Sequence, residues 1–391
     1  MIPIIQSMLD DDLYKLTQCQ AVCEKYPRAD AKYSFINRGQ HKFSMEMIRH
    51  LADEIYALQN IRLSGDEAEW LRYTCPFFTP VFIDFLKGYR YDADEVKIST
   101  MDEKLKVTIE GPWYRTILWE VKLMAMISEL HFAYLDDDCD LAEAFNIAAD
   151  KATRMAEDGI KFADFGTRRR YSKSHHHEVV GELASNGKDS FVGTSNMALA
   201  REYDIKPIGT QAHEWFMFHG AKHGYKDANT MALRKWVSVY RGNLGIALSD
   251  TFTTKDFFRA FGTEHAKLFD GCRHDSGDPF GFTDDVVGHY ESLGIDPMTK
   301  TIVFSDGLDV ARVLEIYNYC ADRIGCSFGI GTNLTNDIEG ITPLNMVIKM
   351  TDCRPNGLGA WLPVIKLSDS PGKHTGDPEE IKLCKRTLQI Q

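Results

Sequence analysis

The sequence predicts an α/β barrel of about seven strands beside an N-terminal α/β domain that the C-terminal segment completes. Three observations predict it. Beyond residue 150, short apolar runs recur at GIKFADF, SFVGTS, IKPIGT, LGIALSD, GCRHDS, TIVFSDG and CSFGIGT, and helical segments follow nearly every one. Such a succession of strand–helix units indicates a parallel sheet. An open sheet and a closed barrel share this rhythm, and the lack of a G-x-G-x-x-G turn after the first strand favours the barrel. The residues before and after this run have a different texture. The implied division is 1–135 for the N-terminal domain, 136–340 for the barrel and 341–391 for the returning segment.

The N-terminal elements follow from period and punctuation. SMLDDDLYKLTQCQAVCEKY reads as a helix stopped by Pro27, AKYSFINR alternates like a strand, and FSMEMIRHLADEIYALQ returns to helical spacing. Ser64 and Glu67 form a capping-box pattern, and Thr79–Pro80 reads as N-cap and first helical residue. VKIST and KLKVTIE flank the turn MDE as a hairpin, and Gly111–Pro112 opens a long helix. Among the later helices are TKDFFRAFGTEHAKLF, TDDVVGHYESLG and DVARVLEIYNYCADRIG. NMVIKMTDC and AWLPVIKLSDS then read as two strands that break the rhythm and rejoin the N-terminal domain.

Composition narrows the function classes. With 391 residues, 44% hydrophobic and 26% charged, the chain has room for two soluble domains. A net charge of −12 argues against nucleic acid or an anionic membrane as a partner, since both need a basic face. The nine cysteines form no C-x-x-C pair, which fits a reduced, cytoplasmic protein without structural zinc. The opening MIPIIQSMLDDDLYK lacks the basic n-region of a signal peptide. TILWEVKLMAMISELHFAYL carries Glu120, Lys122 and Glu129, so it reads as a core helix.

Each strand-like run ends in polar chemistry: DFGTRRR, GTSN, GTQAHEW, SDTFTT, RHDSGDP, SDGLD and GIGTNLTND. In α/β barrels the carboxyl ends of the strands carry the active site, so these loops point to one face. Asp, Ser, Thr and Asn there also read as helix caps, and Gly as a turn residue. Capping does not explain Arg168, Arg169, Arg170, Arg273 and His213 at the same end. GIGTNLTND offers backbone N–H groups and hydroxyls suited to phosphate, and the arginines suit bidentate clamping of carboxylate or phosphate. Asp275 and Asp278 read as a pair for Mg²⁺ or ribose hydroxyls, or as a turn before the helix start at Pro279. The tract His175–His177 lacks metal-ligand spacing and reads as an exposed helix face.

DFGTRRR, FVGTSN, GTQAHEWF, RHDSGDP, VFSD, SFGIGTNLT and KLSDSPGK, in this order, resemble the nicotinate phosphoribosyltransferase family, among the type II phosphoribosyltransferases. The resemblance runs from LDDDLYKLTQ to the end and implies an irregular barrel in a cytoplasmic homodimer with active sites shared across the interface. It also implies a reaction: nicotinate and phosphoribosyl pyrophosphate give nicotinate mononucleotide and pyrophosphate, coupled to ATP hydrolysis with Mg²⁺, in NAD salvage. His213 matches the histidine that is phosphorylated, and Asp250 the carboxylate that orients it. Phe165 matches a ring that stacks on the pyridine, and Tyr14 the ring on its other face, supplied by the second subunit. Arg168 and Arg273 match arginines near the pyridine and phosphates. Asp275 and Asp306 match ribose contacts, while Gly329, Gly331 and Thr332 match the 5′-phosphate cradle, with Asn333 in the same loop. No role is assigned to KLSDSPGK, and no protein metal site is expected.

A sister enzyme acting on nicotinamide is the nearest alternative. It places an aspartate where Ser195 stands here, and an acid there would repel the nicotinate carboxylate. A non-catalytic nucleotide-sensing or scaffold protein would be free to lose the charged residues, and all are present. A barrel lyase or aldolase would need a Schiff-base lysine or a metal cluster, and no lysine ends any of the seven runs.

Overall fold

The computed structural model describes residues 2–39, 41–101, 104–135, 139–370 and 372–390. The hairpin turn at 102–103, the boundary after 135 and position 371 of KLSDSPGK lie outside the described residues. Three strands form the N-terminal framework: β1 (Asp30–Asn37), β2 (Val96–Met101) and β3 (Lys104–Pro112). β2 and β3 pair antiparallel from Val96↔Ile109 to Met101↔Lys104, as the alternating VKIST and KLKVTIE predict. The Ser64–Glu67 capping box forms, and the Thr79 hydroxyl caps the helix Pro80–Gly88.

The second sheet takes β4 (Phe162–Asp164), β5 (Phe191–Thr194), β6 (Ile246–Leu248), β7 (Gly271–His274), β8 (Thr301–Phe304) and β9 (Gly325–Ile330). These six run parallel in the order β5-β4-β9-β8-β7-β6. The run IKPIGT, expected as a seventh strand, contributes only the bridge Thr194↔Pro207. Pro207 has no N–H to donate to a ladder. Segment 206–208 can lie this close to β5 because Gly193 has no side chain; a Cβ there would sit 1.9 Å from the Lys206 carbonyl oxygen. Among the described residues no ladder joins this run to β6. Two side chains span the seam instead: Thr210 Oγ1 donates to the Ile246 carbonyl at 3.1 Å, and Gln211 Oε1 accepts from the Leu248 N–H at 3.1 Å.

The chain then returns. β10 (Met346–Arg354) pairs antiparallel with β1, and β11 (Leu362–Pro363) pairs with β10, giving the order β11-β10-β1-β3-β2. A buried aromatic cluster ties the two sheets together. Trp113, just after β3, packs on Phe218 (centroids 4.3 Å apart) and Trp215 (6.1 Å) of the helix His213–His223. That helix is thereby anchored with His213 as its first residue.

The histidine tract departs from the exposed face expected of it. In the helix Lys173–Gly187, His175 and His176 are 2% and 0% exposed, in line with buried Val179, Val180 and Leu183. These positions lie three and four residues apart, so the apolar stripe simply continues into the tract. His176 Nε2 meets the buried Asp164 carboxylate at 2.8 Å, and only His177 reaches the surface, between Glu178 and Glu202.

Candidate active site

A cavity of about 550 Å³ opens at the carboxyl ends of the parallel strands. Tyr14, Phe165, Arg168, Ser195, His213, Arg273, Asp275, Asp306, Gly329, Gly331 and Thr332 line it as the resemblance implies, while Asp250 lies buried behind His213. After β4 the chain turns through Phe165, whose N–H donates to the Ile330 carbonyl on neighbouring β9 at 2.8 Å. The Phe165 ring lies against Gly329, where a Cβ would stand 2.2 Å from its Cε2. This explains a glycine at 329 by ring contact, and Gly331 and Thr332 continue the same wall.

The three arginines of DFGTRRR separate in role. Arg168 faces the cavity, 3.9 Å from Asp12 and 3.7 Å from Glu120, with its guanidinium 5.9 Å from the Tyr14 ring. Arg169 also lines the cavity, and burial, with Arg168 and Arg38 beside it, lowers its pKa to about 10. Arg170 departs from the expectation that it joins the site. It is 1% exposed and makes a bidentate pair with Asp10 at 2.8 and 3.0 Å.

Tyr14 lines the cavity of its own chain, so it reaches the site without a second subunit. Ser195 Oγ donates to Asp12 Oδ1 at 2.8 Å, and Asp12 is itself on the cavity wall. An acid therefore stands beside Ser195 after all. Burial pushes the Asp12 carboxyl upward, against the pull of Arg168. Asp278 is an N-cap, accepting from the N–H groups of Phe280 and Gly281 at 3.3 and 3.0 Å. Asp306 stands half-exposed on the rim, 3.6 Å from Lys373.

Around His213 the geometry differs from a simple His–Asp250 pair. Thr251 Oγ1 lies 2.9 Å from Nδ1, and Asp275 Oδ2 lies 2.8 Å from Nε2. Asp250 Oδ1 is 3.8 Å from Nε2, beyond hydrogen-bond reach. The hydrogen-bonded carboxylate is thus Asp275, while Asp250 accepts from Ser276 Oγ and pairs with Lys366 at 3.0 Å. Arg273 braces the group from behind, 3.5 Å from Asp275 and donating to the Gln211 carbonyl at 3.0 Å. Burial, together with the Lys366 ammonium, holds His213 below the ordinary histidine pKa despite the two carboxylates. Burial works against the Asp275 carboxylate, but Arg273, His213 and Lys366 hold its pKa well below the usual range.

Lys366 belongs to KLSDSPGK, the motif without a sequence-assigned role. Its Nζ lies 2.8 Å from His213 Nε2, delivered by a segment whose Leu367 N–H donates to the Thr251 carbonyl at 2.8 Å. Lys349, on β10, is a second missed residue. It lines the cavity, and burial beside Lys366 and Arg38 lowers its pKa to about 8. Neither follows a strand of the parallel sheet: Lys349 enters from β10 and Lys366 from the segment after β11. His213, Asp250 and Asp275 present atoms within 4.8 Å of one another, a spacing that could hold a metal ion. The Lys366 ammonium already occupies that place, so the group does not fit a resident Mg²⁺, which favours an octahedron of oxygens.

A glycine-rich loop, two aromatic rings on one cavity wall and a histidine held among carboxylates describe a phosphoribosyltransferase-type site on a mixed α/β fold with a parallel sheet. Comparison with known proteins gives the family. Residues 160–391 match the nicotinate phosphoribosyltransferase (NAPRTase) family and residues 9–128 its N-terminal domain. The chain is 52% identical over 387 residues to the nicotinate phosphoribosyltransferase of Desulforapulum autotrophicum, covering 99% of each. It is equally similar, 52% over 388 residues with 99% of each covered, to the protein of that name from Chromohalobacter salexigens. The crystal structure of nicotinate phosphoribosyltransferase from Porphyromonas gingivalis superposes with a TM-score of 0.97 at 43% identity, covering 99% of this chain and 100% of that one. The chain belongs to the nicotinate phosphoribosyltransferase family. Among the described residues no helix is long and apolar enough to cross a membrane.

Proposed function

We propose that this enzyme transfers the phosphoribosyl group of phosphoribosyl pyrophosphate to nicotinate, giving nicotinate mononucleotide and pyrophosphate in NAD salvage. The observation that carries the reading is the convergence of Phe165, Tyr14, Gly329, Gly331 and His213 on one cavity with arginines and lysines on its walls. In this reading Phe165 and Tyr14 hold the pyridine ring by its faces. Arg168 and Arg273 meet the nicotinate carboxylate and the phosphates, and Gly331 and Thr332 receive the 5′-phosphate through backbone N–H groups and a hydroxyl. The ring nitrogen attacks C1 of the ribose as the bond to pyrophosphate breaks, and Asp275 and Asp306 offset the positive charge that builds on the sugar.

ATP coupling is part of the proposal, with His213 taking the γ-phosphoryl group as a phosphohistidine. The low pKa direction of His213 favours the neutral ring, which is the nucleophilic form. Mg²⁺ enters as the counter-ion of the substrate phosphates, since His213, Asp250 and Asp275 do not fit it. The reading includes a homodimer, with each chain divided at 1–135, 136–340 and 341–391, and a cytoplasmic location, which the nine free cysteines suit. A mass measurement in solution tests the dimer.

A nicotinamide-using enzyme is the second reading, favoured by one observation: Asp12 supplies an acid beside Ser195. Product analysis with nicotinate and nicotinamide side by side separates the two. Nicotinate mononucleotide as the dominant product supports the proposal, and nicotinamide mononucleotide overturns it. Incubation with Mg²⁺ and γ-labelled ATP should leave an acid-labile phosphate on the protein that is absent from His213→Ala. Label persisting in that variant removes the phosphohistidine.

A further inference from the structure

We propose that Lys366 is the positioning residue for phosphoryl capture: its ammonium keeps the ring proton off His213 Nε2 and then passes from that nitrogen to the phosphoryl group it takes up. The inference rests on the phosphohistidine reading and adds to it both a nitrogen and a cation. Nε2 is the nitrogen that faces the cavity, because its partners Asp275 and Lys366 line that space. Nδ1 faces Thr251, which is 1% exposed and lies behind the wall.

Nε2 has one acceptor and one donor, each at 2.8 Å. With the ring proton on Nε2, the imidazole binds Asp275 and that nitrogen has no lone pair to offer. With the proton on Nδ1, donated to Thr251 Oγ1, the Lys366 ammonium can donate to Nε2 and hold its lone pair toward the cavity. Lys366 thus competes with Asp275 for the tautomer. It is nearly buried and is fixed by Asp250 at 3.0 Å, so its charge is desolvated and effective at short range.

The step balances. The Nε2 lone pair forms the N–P bond while the bond from the γ-phosphorus to the bridging oxygen breaks, and that electron pair leaves on ADP. The proton on Nδ1 stays with the ring. The phosphoryl oxygens then arrive beside Nζ, which exchanges its N–H from Nε2 to oxygen and keeps its ion pair with Asp250. Charged groups around His213 are Asp250, Asp275 and Lys366, with Arg273 behind Asp275; the adjoining Glu214 turns away to Lys15 and Tyr33.

The test measures the rate of label transfer from γ-labelled ATP in wild type, Lys366→Gln and Lys366→Arg, across pH. Loss of one charged donor at a developing anion costs on the order of 10²-fold, so Lys366→Gln should label about 10²-fold more slowly. Lys366→Arg should recover much of that rate. The acid limb of the profile should move to higher pH in Lys366→Gln, because the ring loses the cation that discourages its protonation. Phosphorus NMR of the labelled protein should report phosphate on Nε2. Wild-type rate and an unmoved acid limb in Lys366→Gln overturn the proposal alone, as does phosphate on Nδ1. Equal losses in the Gln and Arg variants, with an unmoved limb and a lowered melting temperature, mean a structural lysine and also overturn it. An unlabelled wild type removes the phosphohistidine reading itself, and this inference with it.

Discussion

Gly329→Ala tests whether Phe165 is the platform for the pyridine ring. The added Cβ would stand 2.2 Å from Cε2, 2.4 Å from Cδ2 and 2.9 Å from Cζ of that ring. Carbon atoms pack at roughly 3.5 Å or more, so the ring must retreat by about 1.3 Å. Position 329 does not have a left-handed backbone, so the whole effect passes through the ring. Lost stacking of about 0.5–1.5 kcal/mol corresponds to a rise in nicotinate KM of about 2- to 13-fold. Overpacking adds a stability loss of about 1–3 kcal/mol. The assay is steady-state kinetics with each substrate varied in turn, alongside thermal melting. Gly331→Ala is the contrast: its Cβ would lie 3.5 Å from the Phe165 carbonyl oxygen, an ordinary contact, so its effect should fall on phosphoribosyl pyrophosphate instead. If Gly329→Ala raises the KM for phosphoribosyl pyrophosphate and leaves that for nicotinate unchanged, the platform assignment to Phe165 is refuted.

Asp10→Ala strips the buried Arg170 of its bidentate partner and should cost about 3–5 kcal/mol in urea denaturation; a loss below 1 kcal/mol would mean the pair is solvated. Burial holds His175 at about 4 and His219 at about 3, below the ordinary 6.5. As pH falls below 6.5 the unfolded chain therefore binds these protons first, so stability is full above that pH and is lost as pH drops toward 4. The urea midpoint should fall across this window, and His175→Phe, which keeps the stack on Phe145, should flatten the fall. Chelating divalent cations should leave the melting temperature of the substrate-free enzyme unchanged, since Lys366 fills the one His–carboxylate cluster suited to a metal among the described residues. A clear drop on adding EDTA would contradict that.

Much of this fold is written locally. The β2–β3 hairpin, the capping box at Ser64 and the Asp278–Pro279 helix start depend on neighbours within a few residues, so period and turn chemistry expose them. Six of the seven apolar runs pair as parallel strands for the same reason. The seventh looks like its siblings by composition, but its pairing depends on Pro207 and on what faces it across the seam, which no local pattern records. The histidine tract reads as exposed by polarity but as inward by position. The spacing to Val179, Val180 and Leu183 already marked His175 and His176 as inward. Arg168 and Arg170 look alike in DFGTRRR, and only Asp10, far earlier in the chain, separates the cavity-facing arginine from the structural one.

Lys366 shows where sequence reasoning ends and packing begins. No lysine ends any of the seven apolar runs, yet a lysine arrives from the segment that follows β11. Its delivery is overdetermined. Leu367 bonds the Thr251 backbone, Asp369 accepts from the Thr254 N–H at 3.0 and 3.2 Å, and Gly277 donates to Ser370 Oγ at 3.1 Å. Each of these contacts joins KLSDS to the loop after β6 or β7, the same loops that present Asp250 and Asp275. The carboxylates, the histidine and the ammonium are therefore set relative to one another only when the returning segment is docked on the parallel sheet. A chain that had folded its parallel sheet first would hold His213 beside two carboxylates with only Arg273, set behind Asp275, to oppose them, which favours a protonated ring. Docking the last residues supplies the ammonium that lowers the His213 pKa, so the segment that follows β11 is as much a part of the site as the loop that carries His213.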